Sequence, residues 1–363
     1  MSILFFILIF GVVVVVHEFG HFLLAKANGI HVVEFAIGMG PKLFSFQKGD
    51  TRYCLRLLPI GGACIFEGQD GIYDKDKPKE EPDGLPGDCV PDEEQKGAFH
   101  KAKVGARIAT VVAGPLFNFL LAYVFSLIIV GNVGSMPPVI GNVLEGYPAE
   151  EAGLQAGDEI LSLNGERVHL YDEVSLFSAL NTEGKDVTIV YRRDGVKHKT
   201  TITPVYEDGR YYIGFSGTGT PVVGSPLKVM KNSFYEVRYL LKYTYKSLGM
   251  LFTGKAGLKD LSGPVGVAEL VDDVYQESKP AGVRAVLINM LYFAVLLSVN
   301  LGGMNLLPIP ALDGGRLIFL LIELVRGKPV PPEKEGLVHM IGMILLLILM
   351  VFVFYNDIAR LFR

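Results

Sequence analysis

Little in this chain speaks for a disulfide-held or nucleic-acid-binding protein. Three cysteines in 363 residues are too few for a disulfide scaffold, and an odd number cannot pair completely within one chain. The formal net charge is only −4, which leaves no general basic surface for nucleic acid. Charged residues make up 20% of the chain, against about 25% in an average soluble protein. That deficit is modest overall. Half the residues are hydrophobic and the mean hydropathy is +0.36, and the uncharged residues come in blocks.

Four blocks are long enough to cross a bilayer, which takes about 20 apolar residues. Residues 3–25 are interrupted only by His17, Glu18 and His21. Residues 108–133 and 285–312 carry no charge, and 337–356 carry only His339. The alternative for the first block is a signal peptide, but no basic residue precedes its apolar run and no small-residue cleavage site follows. Residues 67–96 hold eleven acids and four lysines among Pro, Gly and Asp, with little apolar periodicity, so this stretch reads as mobile or disordered. Its flanks, 26–66 and 97–107, hold eight basic residues against two acids. By the positive-inside rule that excess puts the loop in the cytoplasm, with the N-terminus and residues 134–284 outside.

The outer segment reads as a small α+β domain. Strands are expected at 139–144, 159–163, 187–192 and 199–204, and a helix at 171–180. Gly153 and Gly157 suit permissive backbone positions, and Asn164-Gly165 a tight turn. The pattern of 148–158, followed by Ile160 and Asn164-Gly165, resembles the signature of a bacterial PDZ domain. Such domains bind peptides by adding a strand to a sheet edge, and in the permuted bacterial form 212–215 would form the ligand loop. Residues 227–252 carry five Lys/Arg among apolar and aromatic residues. They read either as an amphipathic helix on the membrane surface or as a soluble packing helix.

The chemistry begins at H-E-F-G-H, residues 17–21. Residues four apart share a helix face, so His17 and His21 can hold one zinc with Glu18 beside it as general base. Ionisable residues inside an apolar span point to function; the alternative is a helix interface or an ion path. A third ligand is still needed. Asp313 follows the third block in N-L-L-P-I-P-A-L-D-G-G, where two prolines unwind backbone and paired glycines allow close approach. Asp313 could equally be a helix N-cap at the membrane edge.

Together these pieces resemble the site-2 protease family of intramembrane zinc metalloproteases, of the bacterial regulator of sigma-E protease type. The resemblance covers most of the chain. It is carried by H-E-F-G-H at 17–21, F-A-I-G-M-G-P at 35–41 and Y-C-L-R-L-L-P-I-G-G-A at 53–63. It continues with A-G-P-L-F-N at 113–118, L-S-G-P-V-G at 261–266, S-V-N-L at 298–301 and the Asp313 motif. Two features depart from the pattern: there is room for one PDZ domain where several relatives have two, and the acidic insert at 69–97 is unusual.

The resemblance implies a polytopic α-helical membrane protein with about four transmembrane helices, a membrane-associated β-hairpin and one extracytoplasmic PDZ domain. The parts are a first span (1–26), a cytoplasmic loop (27–106) with a membrane-dipping hairpin (about 53–67) and the insert (69–97), and a second span (107–133). The PDZ domain (137–216), an amphipathic region (225–284), a third span (285–312) leading into 305–316, and a fourth span (337–357) follow. His17, His21 and Asp313 would bind Zn2+, and Glu18 would activate water and pass its proton to the leaving amine. Asn118, Asn300 and Asn305, with Gly61 and Gly62 of the hairpin, would line the substrate. Partners would be single-span membrane proteins such as anti-sigma factors or remnant signal peptides, peptide or protein tails at the PDZ domain, and the lipid bilayer, with no nucleic acid. The setting would be a bacterial inner (plasma) membrane, with the active site toward the cytoplasm.

Residues 54–58 and 63–66 read as two short strands around 59–62, with an edge open to strand addition or, alternatively, a hairpin that only packs the loop. Leu57 and Ile65 then count as edge-strand positions. Cys54 and Cys64 would face each other as free thiols on the reducing side. Cys89 looks incidental. His31, His100, His169, His198 and His339 lack partner spacing and read as surface or structural. Two other classes stay open: a catalytically idle scaffold that binds tails, and a transporter using the intramembrane polar residues as a relay.

Overall fold

Along the chain the elements are α1 (Ser2–Ala27), β1 (Val32–Lys48), β2 (Thr51–Phe66), α2 (Val104–Asn132), β3 (Ile140–Val143), α3 (Pro148–Glu151), β4 (Glu159–Leu163), β5 (Glu166–Arg167), α4 (Tyr171–Leu180), β6 (Val187–Arg193) and β7 (Val196–Ile202). They continue with β8 (Val205–Glu207), β9 (Arg210–Tyr212), β10 (Phe215–Gly217), α5 (Pro226–Phe252), α6 (Pro264–Ser278), α7 (Val283–Asn305), α8 (Asp313–Arg326) and α9 (Pro332–Leu361). The computed structural model describes residues 2–68, 97–255, 257 and 263–361. Helices α1, α2, α7 and most of α9 are long and apolar enough to cross a membrane. The third of these stops at Asn305 rather than at 312, because Pro308 and Pro310 cannot continue a helix. The fourth begins before the expected 337. The chain divides into two units, Tyr123–Ser247 and the remainder.

In the larger unit, α1 buries Ile9, Val13, Val14, His17, Gly20, His21 and Ala25, a stripe at three- and four-residue spacing. Buried Arg107 at the start of α2 donates to Glu323 of α8 at 2.5 Å, tying those helices together. Near the end of α9, Asp357 is 2% exposed and accepts the N–H groups of Gly263 and Gly266 at 3.1 and 2.9 Å. It thereby caps α6, whose first residue is Pro264.

Strands β1 and β2 correct the expected hairpin. Segments 54–58 and 63–66 do not pair with each other. Both lie against 32–37: Phe35 faces Cys64 on one side and Tyr53 on the other. Tyr53 in turn faces Phe46. The order is therefore 62–66, 32–37, 52–58, 42–48, with 62–66 and 42–48 at the edges. Leu57 consequently sits on an inner strand, whereas Ile65 lies on an edge strand. Gly38 (φ +87°) lets β1 turn, since a Cβ there would come 2.4 Å from the Leu58 carbonyl oxygen. Cys54 and Cys64 are free, but a strand runs between them, so they do not face each other. Leu43, Phe44, Phe46, Leu57 and Leu58 are exposed. At the base of this sheet, His31 N–H donates to Gly97 O at 2.8 Å and Phe99 N–H to Glu67 O at 2.8 Å, joining the two ends of the insert. The expectation of mobility at 69–97, and Cys89 with it, falls almost wholly outside the described residues.

The smaller unit contains a four-stranded sheet in the order β5-β4-β6-β7 and two two-stranded sheets, β10-β3 and β8-β9. Ile140, Leu154, Ile160, Leu163, Val187 and Ile189 are among its core residues. Strand β4 and helix α4 match the expected limits. Asn164 (φ +46°) and Gly165 (φ +83°) form the turn into β5. Segment 212–215 runs from β9 into β10 and, with Leu144, Tyr171 and Val174, lines a cleft beside α4. Three of the five basic residues of α5 face this domain. Lys242 and Lys246 pair with Glu166, Arg238 donates to Glu173 at 2.6 Å, and His169 stacks on Tyr235 at 3.8 Å. Of the two readings of α5, packing is realised through residue 246.

Candidate metal centre

The H-E-F-G-H motif is helical, so His17 and His21 stack one turn apart on the buried face of α1, 6% and 7% exposed. The first residue of α8, Asp313, comes against them. Leu312 occupies the N-cap position, so Asp313 is not the cap. The carboxylate reaches the site because α8 starts close to the preceding loop. A Cβ on Gly314 would lie 2.1 Å from Leu307 O, and one on Gly315 2.4 Å from Ile309 O. Only glycine allows that approach.

The distances are those of a metal site. His17 Nε2 and His21 Nε2 are 3.2 Å apart, and they stand 3.1 and 3.3 Å from the same Asp313 Oδ2. The three ligand atoms all lie within 4.8 Å of one another. Donors on a tetrahedral zinc, with bonds near 2.0–2.1 Å, stand about 3.3 Å apart. The tautomers agree. His21 Nδ1–H donates to the carbonyl of Thr110 at 2.8 Å, so in the neutral ring Nε2 carries a lone pair aimed at Asp313. Asp313 Oδ2 is buried, and neither nearby imidazole nitrogen makes a well-aligned hydrogen bond to it. A lone pair facing a carboxylate oxygen is repulsive unless a proton or a metal cation lies between them, and two imidazoles with one carboxylate suit zinc.

Helix α2 supports the imidazoles. A Cβ on Gly114 would lie 2.3 Å from His21 Nε2, and one on Gly20 would lie 2.5 Å from Ala113 O, so the A-G-P motif and Gly20 let α1 and α2 meet. Asn118 is fully buried behind His17, with Nδ2 3.2 Å from His17 Nδ1 and Oδ1 unbonded among the described residues. A half-turn of the amide puts Oδ1 at His17 Nδ1–H and leaves His17 Nε2 for a metal. Ser298 Oγ donates to the Asn118 carbonyl at 2.8 Å, and Gly302 lets α7 pack on Pro115. Asn300 and Asn305 are partly buried on α7, and Ser298 and Gly302 are among the residues that join α7 to Asn118. The sequence reading did not single out Ser298, Gly302, Thr110 or Gly114, although Ser298 and Gly114 lie in motifs it quoted.

The edge strand 62–66 meets Glu18. A Cβ on Gly62 would lie 2.8 Å from Glu18 Cγ, and the Cys64 backbone N–H donates toward the Glu18 carboxyl. Gly61 (φ +85°) turns away, toward the Met39 side chain.

Residues 5–349 match the model of peptidase family M50. The zinc metalloprotease RasP of Bacillus licheniformis is 36% identical, covering 98% of each chain. The regulator of sigma-W protease RasP of Bacillus subtilis is 34% identical over 98% of each. A putative zinc metalloprotease of Clostridium acetobutylicum is 36% identical over 97% of this chain and 96% of its own. Among solved structures, the PDZ domain of the SdrC-like protein of Listeria monocytogenes is 23% identical, covers 23% of this chain and 87% of its own, and has a TM-score of 0.20. Two histidines and an aspartate drawn to one point, in a chain that matches these metalloproteases from end to end, have one common explanation: the chain belongs to peptidase family M50, the site-2 protease family, and is a zinc metalloprotease.

Proposed function

We propose that this protease cuts the membrane-spanning segments of single-span proteins, such as anti-sigma factors already trimmed on the outside or remnant signal peptides. One observation carries the reading: His17, His21 and Asp313 converge among apolar helices with Glu18 beside them. A relative named for regulating a sigma factor supports that substrate class. When bound, zinc supplies Lewis acidity and a water of lowered pKa. Glu18 takes the proton of the attacking water and returns it to the leaving amide nitrogen. Asn118 holds the ring of His17, while Asn300 and Asn305 bind substrate backbone or the developing oxyanion.

A membrane helix hides its carbonyls in hydrogen bonds, so the substrate has to become extended before it is cut. Strand 62–66, with one edge turned to Glu18, offers an extended segment its donors and acceptors by strand addition. Basic flanks at 26–66 and 97–107 support a sheet and zinc site toward the cytoplasm of a bacterial plasma membrane. The domain at 137–216 is then extracytoplasmic. We read it as a PDZ domain that takes peptide tails beside β10 and screens bulky substrates.

Metal analysis and cleavage assays on purified variants test this. Glu18→Gln keeps its zinc and loses cleavage, and Asp313→Ala loses zinc as well. Full zinc occupancy with normal cleavage in Asp313→Ala would sink the ligand assignment.

A further inference from the structure

Helix α9 touches the loop that delivers Asp313. His339 Nδ1 accepts the N–H of Ala311 at 3.0 Å. One turn on, Gly342 lies against Pro310: a Cβ there would stand 2.4 Å from Pro310 Cβ and 2.7 Å from its carbonyl oxygen. Phe319 of α8 leans on the imidazole, with ring centroids 5.7 Å apart.

This loop needs an outside hold. Pro308 and Pro310 stop it from continuing α7. Ala311, two residues before Asp313, has φ +75°, a left-handed conformation that is strained for a residue with a Cβ. Inside the loop, Ile309 N–H bonds Leu307 O and Leu312 N–H bonds Ile309 O. The Ala311 N–H is satisfied instead from α9. A backbone N–H only donates, so His339 presents a lone pair at Nδ1. A histidine in an apolar span calls for a reason, and this contact supplies it.

We propose that His339 and Gly342 form a latch that holds Ala311 in its left-handed conformation and so places Asp313 for the metal. His339 is a positioning residue, and α9 is part of the metal centre's framework. The proposal rests on the reading of Asp313 as the third zinc ligand.

The test is zinc affinity of the full chain in detergent, measured by competition with a chromophoric chelator. His339→Leu should weaken zinc by about tenfold or more, the effect of losing a partner behind a ligand. His339→Asn, whose Oδ1 can stand where Nδ1 stood, should restore most of it. Ala311→Gly in the His339→Leu background should return affinity to within about threefold of wild type, because glycine adopts a positive φ freely. Ala311→Val, with His339 intact, should weaken zinc from the loop side, and it carries the test if His339→Leu fails to fold.

Wild-type affinity in both His339→Leu and Ala311→Val overturns the latch. So does a His339→Leu defect that neither Asn nor the Ala311→Gly change relieves, since that marks simple packing. Asp313→Ala separates the two readings. Tight zinc in Asp313→Ala overturns the ligand assignment and the latch together. Weak zinc in Asp313→Ala beside unchanged zinc in the other variants overturns the latch alone.

Discussion

Gly62 and Gly114 set how near the backbone comes to the reacting groups. Each stands where a Cβ would collide, with Glu18 Cγ at 2.8 Å in one case and His21 Nε2 at 2.3 Å in the other. Gly62→Ala should push Glu18 aside without touching a zinc ligand. Cleavage is expected to fall about tenfold or more while zinc content stays normal, since a misplacement near 1 Å can cost on the order of a hundredfold. Unchanged cleavage would mean that this contact does not position Glu18. The residues of H-E-F-G-H were legible because a helix turns i and i+4 to one side. Their supports were not. Thr110 lies 89 positions from His21, and Asn118 lies 101 from His17. No local period links such pairs; they meet only because α1 and α2 pack at Gly20 and Gly114.

At the scale of elements, the domain that follows α2 was read well because its strands alternate and its turns carry glycine. The sheet of β1 and β2 was read wrongly. Pairing partners are chosen across the sheet, so 54–58 and 63–66 each found 32–37 instead of each other. Helix α5 shows the same limit. Its basic face suits lipid headgroups or acids alike, and Glu166 and Glu173 of the neighbouring strand and helix claimed it.

Asp158, at the start of β4, gives this domain a pH dependence. It is 1% exposed, and burial alone would raise its carboxyl; the Arg193 guanidinium, at 2.7 Å from both carboxylate oxygens, and the Gln155 N–H hold it below the usual carboxylate range. A folded value below the unfolded value of about 3.9 stabilises the fold above that pH, and the gain is lost as pH falls through the folded value. The stability gap between wild type and Asp158→Asn should therefore be constant above about pH 4 and shrink below it. Hydrogen exchange of β4 and β6 amides across that range checks this. A gap that stays constant down to acid would exclude the pair as the cause.

For the whole molecule, the inserted domain leaves and returns at one place. Ser135 and Val222 pair through both backbone bonds, at 3.2 and 3.0 Å, and Asn232 donates to Ser135 Oγ at 2.6 Å. Residues 136–221 can thus be replaced by a short linker with little strain on α2 and α5. If the domain screens substrates, the deletion variant should cut substrates that still carry their outer domains, which the full chain leaves intact. Loss of cleavage on pre-trimmed substrate, with zinc retained, would instead make the domain necessary for catalysis.

The sequence by itself determined the four apolar helices, the inserted α+β domain, the histidine pair with Glu18, and Asp313 as a candidate partner. Apolar length, strand alternation and helical spacing are local properties, and they survive in any packing. Only the tertiary structure decided what stands behind each of those groups: Thr110 and Asn118 behind the imidazoles, Gly62 and Cys64 at Glu18, and His339 at the loop before Asp313. Contacts between residues tens of positions apart leave no period in the chain, because they depend on which faces touch, and that is settled by the packing of the whole unit.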